Sequence, residues 1–264
     1  MHTIVCVKQV LDPEIPPAKF KIDPEAKKVI PLPGVPPVIS VFDERAVEAA
    51  CRLKDKHGGK ITVLTMGQAK ASDVVKHAIS MGADDGFVLQ DESFENLDSF
   101  GTAYVLGKAI QKIGGYDLVL CGRQAADWGD GQVGSILAER LGIPAVTLAC
   151  EIEAVDKKLK VKRMVKDGYE VLEAPMPSLV TVSSEIGLPR LPAGMRLMLA
   201  RRKQIPVWKA QDIAAEPSQL DRGKAHTEVI GLSVPVRKTE CEIIAGTPGE
   251  AAVNLALKLS KLIG

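Results

Sequence analysis

No charge of one sign dominates this 264-residue chain: 34 basic residues stand against 33 acidic ones, for a net charge of +1. Without a basic excess there is no general field to draw in a polyanion, so no nucleic-acid role is expected. Long apolar runs are missing too. None approaches the ~20 residues of a membrane-spanning helix, and no membrane insertion is expected. Met1-His2-Thr3-Ile4-Val5 lacks a basic stretch followed by a long apolar one, so no secretion signal is expected either. Cysteine is sparse and scattered: Cys6, Cys51, Cys121, Cys150 and Cys241 form no CxxC pair. That argues against a disulfide framework or a zinc site and for reduced thiols in a cytoplasmic protein. His2, His57, His77 and His226 are equally dispersed, with no metal-site spacing. A nucleophile–base pair is also absent. Ser183-Ser184-Glu185 has no obvious histidine partner, so hydrolase chemistry lacks its essential parts and no catalytic residue is assigned.

What is present points to an α/β protein. With 46% hydrophobic residues the chain can bury a sizeable core, as one large domain or a domain with an appendage. Over the first ~150 residues short apolar runs alternate with amphipathic stretches, the pattern of an open, mostly parallel sheet with flanking helices. Ile4–Val7, Ile61–Leu64, Phe87–Leu89 and Leu118–Cys121 read as strands. Between them, Glu44–Lys56 is expected as a helix with Asp43 as N-cap, and Val47, Ala50 and Leu53 facing the sheet. A helix through Val74, Val75 and Ala78 should close at Gly82, and Ser99–Lys112 and Gln132–Leu141 complete the set. Phe20–Ile30 reads as a small hairpin turning at Asp23-Pro24-Glu25.

After that the pattern changes. Glu151–Ser183 reads as consecutive strands, an added antiparallel region with a hairpin at Lys166-Asp167-Gly168. From Glu185 to about Ala245 the chain is proline-punctuated and weakly periodic. So long a stretch without regular structure is unusual in a compact domain, and it reads as an extended arm, either disordered or ordered on a partner. Ile205, Val207, Trp208 and Ile213 favour the partner. A C-terminal helix follows, opened by the capping box Thr247-Pro248-Gly249-Glu250. The expected division is therefore a nucleotide-binding unit with its meander over 1–184, and a partner-wrapping arm and helix over 185–264.

The strongest local feature is Gly122-Arg123-Gln124-Ala125-Ala126-Asp127-Trp128-Gly129-Asp130-Gly131-Gln132-Val133-Gly134. It follows a buried strand and precedes a helix, and in open α/β sheets ligands sit at the carboxyl ends of strands. Its glycines would let backbone approach a ligand, and its N–H groups with the helix start near Gln132 would hold a phosphate. Asp127 and Asp130 would repel phosphate and suit ribose hydroxyls or helix capping. A plain glycine loop with Asp130 as N-cap accounts for the same residues. The run is neither a P-loop nor a GxGxxG fingerprint. Cys6-Val7-Lys8, Phe42-Asp43 and Met66-Gly67 would face the same crevice, with Lys8 either neutralising a phosphate or merely solvated.

Several of these stretches together resemble the beta subunit of electron transfer flavoproteins. Cys6-Val7-Lys8-Gln9-Val10 with Asp12 is similar to the family's opening strand. Phe42-Asp43-Glu44 with Ala46–Ala50 and Arg52-Leu53-Lys54 resembles its first helix. Met81-Gly82-Ala83-Asp84 and the run Leu118–Val133 recur in order, as does the Val161–Thr181 region, in which Lys166 stands where an acidic residue is usual. The resemblance runs from about Thr3 to Val207. It implies an obligate heterodimer with an alpha subunit that holds an FAD, and electron passage to or from an acyl-CoA dehydrogenase or similar flavoenzyme. In this chain it implies either a structural AMP or a second FAD. In the latter group NADH supplies the electrons and the pair of flavins bifurcates them. Thr65-Met66-Gly67 and Pro13 resemble the FAD-holding group, whereas Trp128 and Gly131 depart from it. The implied cofactor site comprises Cys6, Val7, Lys8, Phe42, Asp43, Met66, Gly67, Gly122, Arg123, Gln124, Ala125, Asp127, Asp130, Gly131, Gln132 and Val133, with Arg123 on the flavin ring or a phosphate. Pro189–Arg196 resembles the loop that anchors on dehydrogenases. Gly194 stands where a leucine is usual, so Leu191 or Met195 would take over the partner contact.

Two other functions remain from the residues alone. A stand-alone AMP- or ATP-binding module would need only the first 150 residues and leaves the arm unexplained. A dehydrogenase with its own substrate site would need the fingerprint and acid–base pair that are missing.

Overall fold

A computed structural model describes residues 1–16, 19–221, 223, 225–234 and 241–263. In chain order the elements are β1 (His2–Val7), β2 (Gln9–Val10), β3 (Lys21–Asp23), β4 (Lys28–Ile30), β5 (Val38–Ile39), α1 (Val41–His57), β6 (Lys60–Met66), α2 (Ser72–Met81), β7 (Asp85–Leu89), α3 (Ser99–Ile113), β8 (Leu118–Gly122) and α4 (Val133–Leu141). Then come β9 (Ala145–Val155), β10 (Lys158–Val165), β11 (Gly168–Pro175), β12 (Ser178–Val182), α5 (Gly194–Arg202), β13 (Val207–Trp208) and α6 (Pro248–Ile263).

Nine strands form one sheet in the order β11-β10-β9-β12-β8-β1-β6-β7-β13. From β9 to β13 every neighbouring pair is parallel, and β10 and β11 add an antiparallel flank. The expected open, mostly parallel sheet with an added antiparallel region is therefore present. Strands buried on both faces need continuous apolar runs, which is why β1, β6 and β8 were legible as Ile-Val-Cys-Val, Ile-Thr-Val-Leu and Leu-Val-Leu-Cys. Their side chains alternate between two cores. Val5, Val63, Leu118 and Leu120 pack with Ala46, Val47 and Ala50 of α1 and Val74, Val75 and Ala78 of α2. Ile4, Leu64, Val119 and Cys121 pack with Ala109 and Ile110 of α3 and Leu137 and Ala138 of α4. The small hairpin β3–β4 turns as expected, its Asp23 side chain accepting the N–H groups of Glu25 and Ala26.

Three expectations need correction. Helix α1 begins at Val41 with Ser40 as its N-cap residue, so Asp43 lies inside the first turn and caps nothing. Asp130 does not cap α4 either: Gln132 holds that position, and Asp130 takes a hydrogen bond from Ser99 Oγ at 3.3 Å. The stretch after Glu185 is also more regular than its weak periodicity predicts. It contains α5, and β13 joins the sheet beside β7. Trp208 stacks on Phe87 with ring centroids 3.9 Å apart, and Ile213 and Leu220 are buried in the chain's own core. These side chains are held by this chain and are not left over for a partner.

The C-terminal helix α6 opens on the expected capping box: Thr247 N and Oγ1 both donate to Glu250 Oε2, at 2.9 and 2.8 Å. Its apolar side chains remain in water, with Val253, Leu257 and Leu262 all more than half exposed. No described helix is long and apolar enough to cross a membrane.

Candidate functional site at the sheet switch point

The chain runs from β1 outward through β6 and β7, then returns to place β8 on the other side of β1. That reversal makes the β1/β8 junction the switch point of the sheet, where a crevice opens at the carboxyl ends of the strands. The ends of β1 and β8 are separated by the start of α1. The Asp43 carboxylate is buried there. Oδ2 accepts the Lys8 N–H at 2.9 Å and Oδ1 accepts the Gly122 N–H at 3.0 Å. Burial pushes this carboxyl up to about 7, against the pull of the two N–H donors, Ser40 and Lys8. Gly122 is required for this approach: a Cβ would stand 2.5 Å from Asp43 Oδ1 and 2.7 Å from Phe42 Cβ.

Ser40 supplies further ties. Its N–H donates to Lys8 O at 2.9 Å, its carbonyl accepts the Asp43 N–H at 2.9 Å, and its Oγ accepts the Ala126 N–H at 3.3 Å. The loop after β8 is thereby fixed to α1. Arg123 N–H donates to Val182 O at 2.9 Å, and its guanidinium lies over the Phe42 ring at 4.7 Å. The buried Arg123 Nε has no hydrogen-bond partner among the described residues. Lys8 Nζ reaches across to Asp127 at 2.8 Å, and Asp127 also accepts the Trp128 N–H. Both loop carboxylates are thus occupied by protein groups. Gly129 and Gly131 adopt positive φ of 72° and 67°, which turns the chain back toward α4. Among the described residues the N–H groups of Gln124, Ala125, Gly131, Gln132 and Val133 meet no protein acceptor.

The structure therefore brings Lys8, Phe42, Asp43, Gly122, Arg123 and Asp127 together at the carboxyl ends of β1 and β8, with Gln124 and Ala125 in the loop between Arg123 and the Ala126 held by Ser40. Cys6 and Val7 end β1, and their side chains are buried in the sheet. Met66 and Gly67 lie at the end of β6, on the other side of β1, where the Gly67 N–H donates to Leu89 O. Asp130 turns to α3 as described, and Val133 is half-buried at the start of α4. Ser40 was missed because a serine ahead of an apolar pair carries no signal for contacts that lie 86 residues away, at Ala126. Cys121 is opposite Cys6 in the β1–β8 register. The neighbouring Cys6 thiol and burial push it well above the ordinary thiol range, so it stays protonated. Among the described residues, no group of three or more His, Cys, Asp or Glu is placed to hold a metal.

A second feature lies along α1. Glu48 is buried, and its Oε2 accepts the Arg190 backbone N–H at 3.0 Å and Nε at 2.7 Å. Arg52 Nε donates to Glu48 Oε1 at 2.8 Å, while its Nη groups hold Ile186 O and Leu188 O. Burial raises the Glu48 carboxyl, but the two guanidinium groups outweigh it and hold the carboxyl below its usual range. The clamped segment exposes Leu188 at 77% and Leu191 at 92%, with Met195 at 77% on the adjoining α5. Met198 and Leu199, at helical spacing from Met195, extend the same exposed apolar set and were overlooked in sequence.

Comparison with known proteins gives this geometry its family. The family model described as the electron transfer flavoprotein domain matches residues 34–213. The chain is 38% identical over 98% of its length, and 98% of the other's, to the electron transfer flavoprotein subunit beta of Thermoanaerobacterium thermosaccharolyticum. It is 37% identical to the caffeyl-CoA reductase-Etf complex subunit CarD of Acetobacterium woodii, covering 99% of this chain and 98% of that one. It is 33% identical to the acryloyl-CoA reductase electron transfer subunit gamma of Anaerotignum propionicum, covering 98% of both. With the matched region taking in the stapled end of α1, the glycine loop and the clamped segment, the chain belongs to the electron transfer flavoprotein family, as a beta subunit.

Proposed function

We propose that the β1/β8 crevice holds the adenylate part of a nucleotide, as FAD or as AMP alone, and that the chain works as half of a heterodimeric electron carrier. One observation carries this reading: five loop amides without a protein acceptor and a buried, unpartnered Arg123 Nε lie beside the switch point of the sheet. Unpaired amides at a helix N-terminus suit phosphate oxygens. The residues fit the group. Asp127 and Asp130, which would repel phosphate, are already engaged by Lys8 and Ser99. A bound flavin would supply the one- and two-electron chemistry. The chain's own residues hold phosphate through main-chain N–H groups, place the Arg123 guanidinium, and fix the loop height through Ser40 and Asp43.

The exposed set around Leu188, Leu191 and Met195 is the surface for a dehydrogenase or reductase of CoA thioesters. The names of two relatives, a caffeyl-CoA reductase complex subunit and an acryloyl-CoA reductase electron transfer subunit, support that substrate class. The part of the segment after Ser184 that the chain's own core does not hold, together with α6, serves an alpha subunit, and the leucines of α6 in water are the reason. FAD rather than AMP in this crevice would make NADH the electron source and permit bifurcation in the cytoplasm. The test is to co-express the chain with an alpha subunit, purify the heterodimer, and extract its nucleotides. Two flavins per heterodimer assign FAD here, and one flavin plus AMP assigns the carrier without a second flavin. No nucleotide beyond the alpha flavin overturns the reading.

A further inference from the structure

Between β12 and α5 the chain pairs with no strand, so its main-chain groups need partners of another kind. Helix α1 supplies them. Arg45, Glu48, Arg52 and Asp55 follow one another at spacings of three, four and three residues and so share one face of the helix. Arg45 Nη1 donates to Ser184 O, and Arg52 donates to Ile186 O at 2.7 Å and to Leu188 O at 3.1 Å. Glu48 Oε2 accepts the Arg190 N–H at 3.0 Å. The Arg190 side chain returns to the same stripe, with Nε at 2.7 Å from Glu48 Oε2 and Nη2 at 2.8 Å from Asp55 Oδ2. Gly187 lies against the Arg52 fork at a φ of 105°, and a Cβ there would stand 3.3 Å from Arg52 Nη2. The stripe thus grips the segment by three carbonyls and one amide. It leaves the side chains of Leu188 and Leu191 in water.

We infer that Arg45, Glu48, Arg52 and Asp55 are positioning residues for docking: they fix the main chain of 184–190 in advance, so that Leu188 and Leu191 meet a dehydrogenase or reductase of CoA thioesters already ordered. This rests on the reading that those leucines belong to the docking surface. A segment ordered before encounter loses less freedom on binding, and that saving appears as affinity. Geometry matters here as much as charge. The planar fork of Arg52 reaches two carbonyls at once, whereas a lysine ammonium at the same place is a point charge on a flexible stem. Because the stripe holds main chain and not the leucine side chains, residues 188 and 191 can change without loosening the segment. Partner choice can therefore be rewritten at those two positions on a constant frame.

The test uses the full chain with its alpha subunit, and an acyl-CoA dehydrogenase reduced by its acyl-CoA as the probe. The rate of alpha-flavin reduction against dehydrogenase concentration gives KM and kcat separately, at a temperature where circular dichroism shows every variant folded. Glu48→Gln and Arg52→Lys are each expected to raise KM for the dehydrogenase about tenfold at unchanged kcat, with faster hydrogen exchange across 186–190. Val47→Ala, a cavity on the core face of the same helix, destabilises the fold and is expected to leave KM unchanged. If Glu48→Gln fails to fold, Arg52→Lys against Val47→Ala decides the matter. Unchanged KM in Glu48→Gln and Arg52→Lys while Leu191→Asp raises it, or an equal rise in Val47→Ala, overturns the inference and leaves the docking surface standing. A wild-type KM in Leu191→Asp, or no electron transfer from the dehydrogenase to the wild-type heterodimer, overturns the reading beneath it.

Discussion

The Arg190 guanidinium and the Glu48 carboxylate form a side-on pair, with Nε at 2.7 Å from Oε2 and the Arg190 main-chain N–H on the same oxygen at 3.0 Å. A second cation, Arg52, holds the other oxygen and ties down two carbonyls of the same segment. Glu48 is buried, so removing its charge takes away the anion the two cations share, leaving Arg190 with Asp55 at 2.8 Å and Arg52 with two carbonyls. Glu48→Gln is expected to cost about 1–3 kcal/mol of stability. Urea unfolding measures the loss, and hydrogen exchange should quicken across 186–190 before it changes in the sheet.

Leu191 is 92% exposed, so it contributes almost nothing to the fold. Leu191→Asp should leave the unfolding free energy within about 0.5 kcal/mol of wild type. On the proposed docking role it should nevertheless slow electron exchange with a dehydrogenase or reductase of CoA thioesters about tenfold or more, as expected for an apolar anchor at an interface. Stopped-flow flavin absorbance reads the rate. An unchanged rate removes Leu191 from the docking surface.

The Asp43 carboxyl, raised to about 7, makes stability depend on pH. An exposed aspartate titrates near 3.9, so between about pH 4 and 7 the folded chain binds more protons than the unfolded one. The stability this group contributes is full below about pH 4 and is lost as pH rises through about 7. Wild type minus Asp43→Asn, compared by urea unfolding across that window, should therefore shrink with rising pH. A difference that grows instead would show the carboxylate to be the favoured buried form.

Gly122→Ala places a methyl group 2.5 Å from Asp43 Oδ1. The staple or the start of α1 must shift, at about 1–3 kcal/mol. Calorimetry should show a lowered melting temperature, and on the proposed nucleotide role the heterodimer should retain less AMP or FAD in this chain after gel filtration.

Thr247→Ala removes one arm of the capping box and should cost α6 about 1 kcal/mol locally. Exchange of the amides in the first turns of α6 should rise while the urea midpoint of the sheet stays put.

Where burial is continuous or period and punctuation agree, the sequence announces the element. The buried runs of β1, β6 and β8 did so, as did Gly82 and Gly142 as helix stops and Thr247–Glu250 as a helix start. The glycine loop was legible as the connection between β8 and α4. Asp43 illustrates what was not legible. An aspartate before Glu44 fits an N-cap locally, and only the fold brings in the amides of Lys8 and Gly122, 35 and 79 residues away. Lys8 and Asp127 meet across 119 residues for the same reason. Helix α5 escaped notice because Met195, Leu197, Met198 and Leu199 leave it no clear polar face, and β13 because two residues carry no alternation.

That two-residue strand has a consequence out of proportion to its size. The carbonyls of Pro206 and Trp208 take the N–H groups of Val88 and Gln90. One rim of the sheet thus ends on the chain's own downstream segment, a strand of only two residues that offers a stray strand a short template. The opposite rim, Gly168–Pro175, is eight residues long and is the better template for foreign β-structure during refolding or assembly.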